Sequence, residues 1–182
     1  MIRMKIQKIA LAILALFCAS VFIIASNNAP QQQLFSEQVF FCPEDNCAQK
    51  LVQKINASKE SIHTAVYSFT SAEIADALVE AKNRGVEVKV VTDYVQAAGK
   101  YSKDEMLQQE GIEIRIKKIE GGGSMHDKFM VIDNKLVATG SFNYTANADE
   151  KNDENLVFLA NPEIIAGFKS EFLEIWQQAR ES

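Results

Sequence analysis

Four polar side chains of different chemical types stand at the two ends of one short stretch of this 182-residue chain. His126 and Lys128 precede an apolar run, and Ser141 and Asn143 follow a second one. Members of each pair are two residues apart, so on an extended strand they point to the same side. Lysine, serine and asparagine can hold phosphate oxygens, and histidine can act as a nucleophile or an acid–base group. The residue types and their spacing therefore predict a site for phosphate chemistry.

The two apolar runs, 129–132 and 136–138, must pair to bring these ends together. The polar residues Asp133, Asn134 and Lys135 separate them, and such a corner between strand-like runs predicts a β-hairpin. Pairing outward from the corner would place the two open ends side by side. Asp133 is expected to stabilise the turn through its side-chain oxygens and to make no contact with a substrate.

The same residues carry a family signature, H-x-K-x4-D followed by G-S-x-N. It is formed by His126, Lys128, Asp133, Gly140, Ser141 and Asn143. This signature resembles that of the phospholipase D superfamily, and Glu154 is similar to the carboxylate that usually follows it. The likeness extends over most of residues 38–178. It is greatest to the small single-motif members, the bacterial endonuclease type and the mitochondrial-surface phospholipase D-like nucleases.

The resemblance implies a two-step hydrolysis of a phosphodiester that needs neither a metal nor another cofactor. His126 would attack phosphorus and form a phosphohistidine. Lys128 and Asn143 would hold the non-bridging oxygens with the help of Ser141. Glu154 would accept a hydrogen bond from a ring nitrogen of His126 and fix its tautomer.

The implied reaction also needs a second histidine to protonate the leaving oxygen. The chain contains only His63 besides His126, and His63 lies early in a predicted strand, away from the signature, where a structural role is expected. A twofold homodimer that shares one cleft would supply the second His126. The expected substrate is DNA or RNA. A membrane phospholipid of the cardiolipin type and a non-catalytic role in binding phosphate ligands are the alternatives.

The charge of the chain argues against a general nucleic-acid-binding protein. The net charge is −5, and the first 26 residues hold three basic residues and no acidic one, so the rest carries −8. Proteins that coat nucleic acids normally present a basic face. Any site for a polyanion must therefore be local, and the candidate basic side chains are those of Arg115, Lys117, Lys118 and Lys128.

The first 29 residues predict a signal peptide or a membrane anchor. Residues 9–25 form an apolar run behind a basic flank, and the poor cleavage site after it favours an uncleaved anchor. Residues 30–37 are interpreted as a polar linker and residues 38–182 as the catalytic domain. This domain is expected to be exported, to the periplasm or another extracytoplasmic space.

Strand-like and helical patterns alternate in the first half of the domain, and strands pair locally in the second. This order predicts an α/β fold with a mixed β-sheet between helices, as in the phospholipase D family. Residues 94–103 and 145–153 are predicted to be loops. Cys42 and Cys47 could form a disulfide in an exported domain, although a pair of free thiols and a metal site are alternatives.

Overall fold

The computed structural model describes residues 37–181. Eight strands form one sheet, in chain order β1 (Gln38–Cys42), β2 (Ser61–Val66), β3 (Glu87–Asp93), β4 (Glu113–Lys117), β5 (Lys128–Ile132), β6 (Leu136–Gly140), β7 (Glu154–Leu159) and β8 (Arg180–Glu181). The helices are α1 (Cys47–Ala57), α2 (Ala72–Asn83), α3 (Tyr94–Ala97), α4 (Asp104–Gln109), α5 (Ala146–Glu150) and α6 (Pro162–Gln178).

The sheet is mixed, as the sequence predicts. Its spatial order is β1-β7-β6-β5-β2-β3-β4-β8; β2, β3 and β4 run parallel, and the other neighbouring pairs are antiparallel. The parallel strands follow from the crossover helix α2, whereas the hairpin and its neighbours need only short turns. One strand ladder thus joins both halves of the domain.

Helices cover both faces of the sheet, which confirms the predicted α/β sandwich. Leu51 of α1 and Leu78 of α2 belong to a buried cluster on one face. Phe172 and Ile175 of α6 belong to a second cluster on the other face, with Val131 of β5. Alternate residues of each central strand enter opposite clusters, as the two-residue period of a strand requires.

Two segments predicted to be loops contain short helices. The Asp93 carboxylate accepts hydrogen bonds from the backbone N–H groups of Val95 and Gln96, and it caps α3. The Thr145 hydroxyl accepts from Ala148 N and caps α5. The prediction was wrong because a single helical turn shows no apolar period, although its capping residue was visible.

The central hairpin has the predicted pairing. Ile132 lies opposite Leu136 and Phe129 lies opposite Thr139. Asp133 and Asn134 in the corner both have left-handed backbones, with φ of 53° and 51°. Aspartate and asparagine tolerate this conformation better than most residues, which explains their place in the turn.

The Asp133 carboxylate has a structural function, but its partners lie outside its own turn. It accepts hydrogen bonds from the backbone N–H groups of Lys59, Glu60 and Ser61 at distances of 2.7–3.1 Å. The side chain therefore fastens the hairpin corner to the loop that leads into β2. The expectation that Asp133 stabilises its own turn is corrected by these contacts.

A disulfide joins Cys42, at the end of β1, to Cys47, at the start of α1, and both residues are buried. Within residues 37–181, no helix has the length and apolar character required to span a bilayer. The predicted leader, residues 1–29, and residues 30–36 of the predicted linker lie outside the described residues.

Candidate active site

The signature residues meet at one edge of the sheet. This edge holds the end of β2, the start of β5, the end of β6 and the start of β7, because these neighbouring strands are antiparallel. His126 and Lys128 lie at the start of β5. Ser141 and Asn143 follow β6, and Glu154 begins β7. Hairpin pairing thus brings the two halves of the signature to the same edge.

Lys128 and His126 are in direct contact. The Lys128 ammonium donates to the carbonyl oxygen of His126 at 2.6 Å, and its Nζ lies 3.1 Å from the Nδ1 atom of the same residue. His126 is exposed and Lys128 is half-buried. The imidazole and the ammonium therefore face the same small volume, as their two-residue spacing predicts.

Tyr67 packs against both side chains, a contact that the sequence did not predict. Its ring centroid lies 4.4 Å from that of His126 and 5.0 Å from the Lys128 ammonium. Its hydroxyl accepts a hydrogen bond from Gln96 Nε2 at 3.0 Å, and its backbone N–H donates to Asp127 O. The one sequence signal was its position directly after the buried strand β2.

Asp93 fixes the chain segment that leads into His126. One carboxylate oxygen caps α3, and the other accepts from the backbone N–H of Met125 at 3.0 Å. Both residues are buried. The loop 118–125 therefore has a fixed end next to the site.

Asn143 is oriented by the chain that follows β2. Its Oδ1 atom accepts from the backbone N–H of Ser68 at 3.3 Å, and Tyr144 N donates to Ser68 O. Thr70 N donates in turn to Tyr144 O. Because the oxygen of the Asn143 amide is engaged, its NH2 group is the part that can donate to a phosphate oxygen.

Ser141 and Glu154 bond to each other. The Ser141 hydroxyl donates to one Glu154 carboxylate oxygen, and Asn152 Nδ2 donates to the other at 3.0 Å. The same hydroxyl oxygen accepts from Asn155 N at 3.1 Å. Among the hydrogen bonds of residues 37–181, Glu154 accepts none from His126, so the predicted bond between them is corrected. Ser141 holds the Glu154 carboxylate.

Gly140 has a backbone conformation and a packing environment that exclude a side chain. Its φ is +147°, and a β-carbon there would lie 2.2 Å from the carbonyl oxygen of Asn155. This close approach lets Ser141 N donate to the same carbonyl at 3.1 Å. The glycine of the signature therefore sets the position of the Ser141–Glu154 pair.

Burial lowers the pKa of Lys128 from its ordinary value, and the carboxylates of Asp127 and Glu154 partly offset this effect. Burial disfavours the charged form because the ammonium loses water contacts. An anionic ligand that contacts the ammonium would restore the lost stabilisation. The electrostatics of the site therefore favour a bound phosphate.

Two members of the predicted basic cluster support α6 instead of this site. The Arg115 guanidinium lies 4.3 Å from the ring centroid of Trp176 and donates to its carbonyl oxygen. The Lys117 ammonium donates to Gln178 Oε1 at 2.6 Å. Lys118 lies over the ring of Tyr94, at 5.5 Å.

His63 has structural contacts, in line with its predicted role. Its ring stacks on that of Phe172 with centroids 4.9 Å apart, and its Nε2 atom lies 2.9 Å from a Glu87 carboxylate oxygen. Between residues 37 and 181, no group of three or more histidine, cysteine, aspartate or glutamate side chains is arranged to hold a metal ion.

The family model described as "Cardiolipin synthase, PLD-like domain" matches residues 51–176. A "Phospholipase D" of Rickettsia bellii is 36% identical over 133 residues, which are 73% of this chain and 65% of that protein. A "Mitochondrial cardiolipin hydrolase" of Chlamydomonas reinhardtii is 32% identical over 127 residues, 70% of this chain and 56% of that protein. The chain thus spans less than two thirds of the length of these curated relatives.

Among solved structures, the fold is similar to that of a phospholipase D family member, Nuc from Salmonella typhimurium. The TM-score is 0.75 and the sequence identity is 37%. The match covers 81% of this chain and 97% of the other.

Proposed function

Because the chain belongs to the phospholipase D-like family, we propose that it is a phosphodiesterase, and most specifically an endonuclease that cleaves DNA or RNA through a phosphohistidine at His126. The observation that carries this proposal is that His126 and Lys128 are in contact beside Tyr67, while Asn143 is bonded to Ser68, the next residue of the chain. A nucleophile, a cation and an amide donor are the groups that attack on phosphorus requires.

In the first step, a lone pair on a ring nitrogen of His126 forms a bond to phosphorus while the bond to the leaving oxygen breaks. A second, protonated imidazole gives its proton to that oxygen. In the second step, the same imidazole takes a proton from water. The water oxygen bonds to phosphorus, and the bond between nitrogen and phosphorus breaks.

Binding of the substrate phosphate would also change which ring nitrogen of His126 carries the proton. Attack through Nε2 requires the imidazole proton on Nδ1, and an ammonium 3.1 Å from Nδ1 opposes that tautomer. Phosphate oxygens would draw the Lys128 ammonium away from Nδ1. Binding of the anion would therefore favour the reactive tautomer.

A twofold homodimer is part of the proposal because the reaction needs two imidazoles. The chain has two histidines, and His63 is stacked on Phe172 in the sheet–α6 interface. The second imidazole would be His126 of a second copy, which requires the two sites to face each other across the twofold axis.

The test uses the full-length protein in mild detergent with excess EDTA. Labelled single- and double-stranded DNA, RNA and phospholipid vesicles are the substrates, and His126→Ala is the control. Cleavage of nucleic acid that persists in EDTA and is lost in the variant would support the nuclease. Absence of all turnover from a folded protein would contradict a phosphodiesterase and favour a role in binding phosphate ligands.

The dimer needs a separate experiment. Wild type and His126→Ala are unfolded, mixed and refolded together to form mixed dimers. A shared site predicts that mixed dimers lack one imidazole and lose turnover. Full activity per wild-type chain in the mixed dimers would refute the shared site.

A phospholipid is the second candidate substrate, because similar proteins are named phospholipase D and mitochondrial cardiolipin hydrolase. The predicted anchor at residues 9–25 would hold the domain next to a bilayer. Turnover of the vesicles, without cleavage of any nucleic acid, would establish this alternative.

A further inference from the structure

A cleft of about 580 Å³ opens beside Asn143, and the signature does not account for it. The cleft is lined by Tyr67, the residue that stacks on His126, by Tyr101 and by the chain that enters α5. Its lining residues are Tyr67, Ser68, Thr70, Gln96, Tyr101, Asn143, Thr145, Ala146, Asn147 and Asn152.

The lining is uncharged and rich in hydrogen-bonding groups. Among the described residues that form it, none is lysine, arginine, aspartate or glutamate, and the single aliphatic side chain is Ala146. The amides of Gln96, Asn147 and Asn152 can each donate and accept. Such a surface suits a neutral, planar, polar group and offers little to a fatty acyl chain.

Tyr101 provides an exposed aromatic ring at this cleft. It is 71% exposed, which is unusual for a side chain with so much apolar surface. The Lys100 ammonium lies 5.4 Å from its ring centroid. An aromatic ring and a nearby cation are the combination that proteins use to bind single-stranded nucleic acids.

Hydrogen bonds anchor the backbone of the loop that carries Tyr101. Ser102 N donates to Gly99 O at 2.9 Å, and Lys103 N donates to Phe69 O at 3.0 Å. The buried Asp104 follows and accepts a hydrogen bond from Thr92 of β3. The loop is thus attached both to the chain after β2 and to the central sheet.

We propose that this cleft binds the nucleobase next to the scissile phosphate of a single-stranded nucleic acid, with Tyr101 as its stacking surface. The proposal rests on the proposed function, because it places the phosphate at Lys128 and Asn143. A base inside a duplex is stacked on both sides and cannot enter such a cleft. The cleft therefore favours single strands over duplexes.

The test compares two single-stranded substrates of equal length. One is oligothymidylate, and the other is a chain of abasic tetrahydrofuran phosphates, which has the same charges and no bases. The measured quantity is the ratio of kcat/KM for the two, with full-length protein. Because both rates come from one sample, differences in the amount of folded protein cancel in the ratio.

Wild type is expected to prefer oligothymidylate by between about fivefold and a hundredfold, the effect of stacking one base on an aromatic side chain. Tyr101→Ala should bring the ratio close to one, and Tyr101→Phe, which keeps the ring, should retain the preference. Tyr94→Ala is the matched control, since Tyr94 is also exposed but lines a different cleft with Lys118.

Four results would overturn the inference. An unchanged ratio in Tyr101→Ala, or an equal fall in Tyr94→Ala, would show that Tyr101 binds no base. Equal cleavage of both chains by wild type would exclude base recognition while the nuclease stands. Turnover of cardiolipin vesicles with neither chain cleaved would instead refute the proposed nuclease and this inference together.

Discussion

Replacement of Asp133 by asparagine tests whether the aspartate of the H-x-K-x4-D signature serves folding or chemistry. One carboxylate oxygen accepts from the N–H groups of Glu60 and Ser61 and, at 3.1 Å, from Lys59 N, which also donates to the other oxygen at 2.9 Å. Asparagine can keep the bonds to the first oxygen through its carbonyl oxygen. Its NH2 group would replace the second oxygen and cannot accept the shorter bond from Lys59 N. Asparagine also tolerates the left-handed backbone of this position.

The expected loss of stability follows from these contacts. A hydrogen bond to a charged group contributes about 1.5–3 kcal/mol, and neutral acceptors bind about half as strongly. One bond would be lost and three weakened, and water replaces part of the loss because the site is partly exposed. We therefore expect Asp133→Asn to lower the free energy of unfolding by about 2 kcal/mol. For a domain of this size, that corresponds to a fall in Tm of roughly 4–8 °C.

The effect should depend on pH. Burial alone would raise the pKa of Asp133, but the backbone N–H groups of Glu60, Ser61 and Lys59 outweigh it, so the folded-state pKa is lowered. The stabilisation is then fully present above the unfolded-state pKa of about 3.9 and is lost as the pH falls through the lower folded-state value. The difference between wild type and variant should be constant above about pH 5 and shrink in acid.

Urea unfolding at several pH values measures the change, with Asp76→Asn, an exposed aspartate on α2, as the control. Activity should be unaffected at temperatures where the variant is folded. The corner and His126 lie beyond opposite ends of β5, whose five residues span about 17 Å at 3.3 Å per residue. A variant of unchanged stability that loses kcat would refute this reasoning and place Asp133 in the reaction.

Three further changes test other parts of the structure. Gly140→Ala should lower the free energy of unfolding by about 3 kcal/mol or more, because the new β-carbon would clash with a backbone carbonyl. Gly85→Ala is the control: a β-carbon there has open space and only an unfavourable positive φ, so the loss should be about 1–2 kcal/mol. Equal losses in urea unfolding would refute the steric argument. Burial raises the pKa of Asp104 despite hydrogen bonds that lower it, so the stability of the wild type should fall as the pH rises from about 4 through the raised pKa. Asp104→Asn should abolish this dependence of the unfolding free energy on pH, measured from about pH 4 to 8. If the dependence persists in the variant, another group causes it. Replacement of Cys42 and Cys47 by alanine should lower the unfolding free energy by roughly 2 kcal/mol, as expected for closure of a very short loop, and reductant should then have no further effect on the urea midpoint.

The hairpin and the starts of α2 and α6 could be predicted because their signals are local. The apolar runs on both sides of Asp133 and Asn134 specify pairing and register through the two-residue period of a strand. Ser71 accepts from Ile74 N at the start of α2, and Asn161 caps α6 in front of Pro162, as their positions in the sequence indicate.

The partners of the signature residues could not be predicted in the same way. The Glu154 carboxylate could serve His126 or Ser141, and the spacing in the sequence does not distinguish these partners. In the structure Gly140 has a φ of +147° and lies close to the carbonyl of Asn155, which brings Ser141 to Glu154. Backbone geometry at one glycine thus decides which hydrogen bond the carboxylate makes.

The sequence by itself determined the strand and helix pattern, the hairpin that joins His126 to Asn143, and the resemblance that points to phosphodiester chemistry. The tertiary structure alone decided that Tyr67 stacks on His126, that Asp133 binds N–H groups more than 70 residues away, and that Tyr101 borders the cleft beside Asn143. The physical reason is that alternation and capping act within a few residues. Contacts between distant segments depend on which strands become neighbours in the sheet.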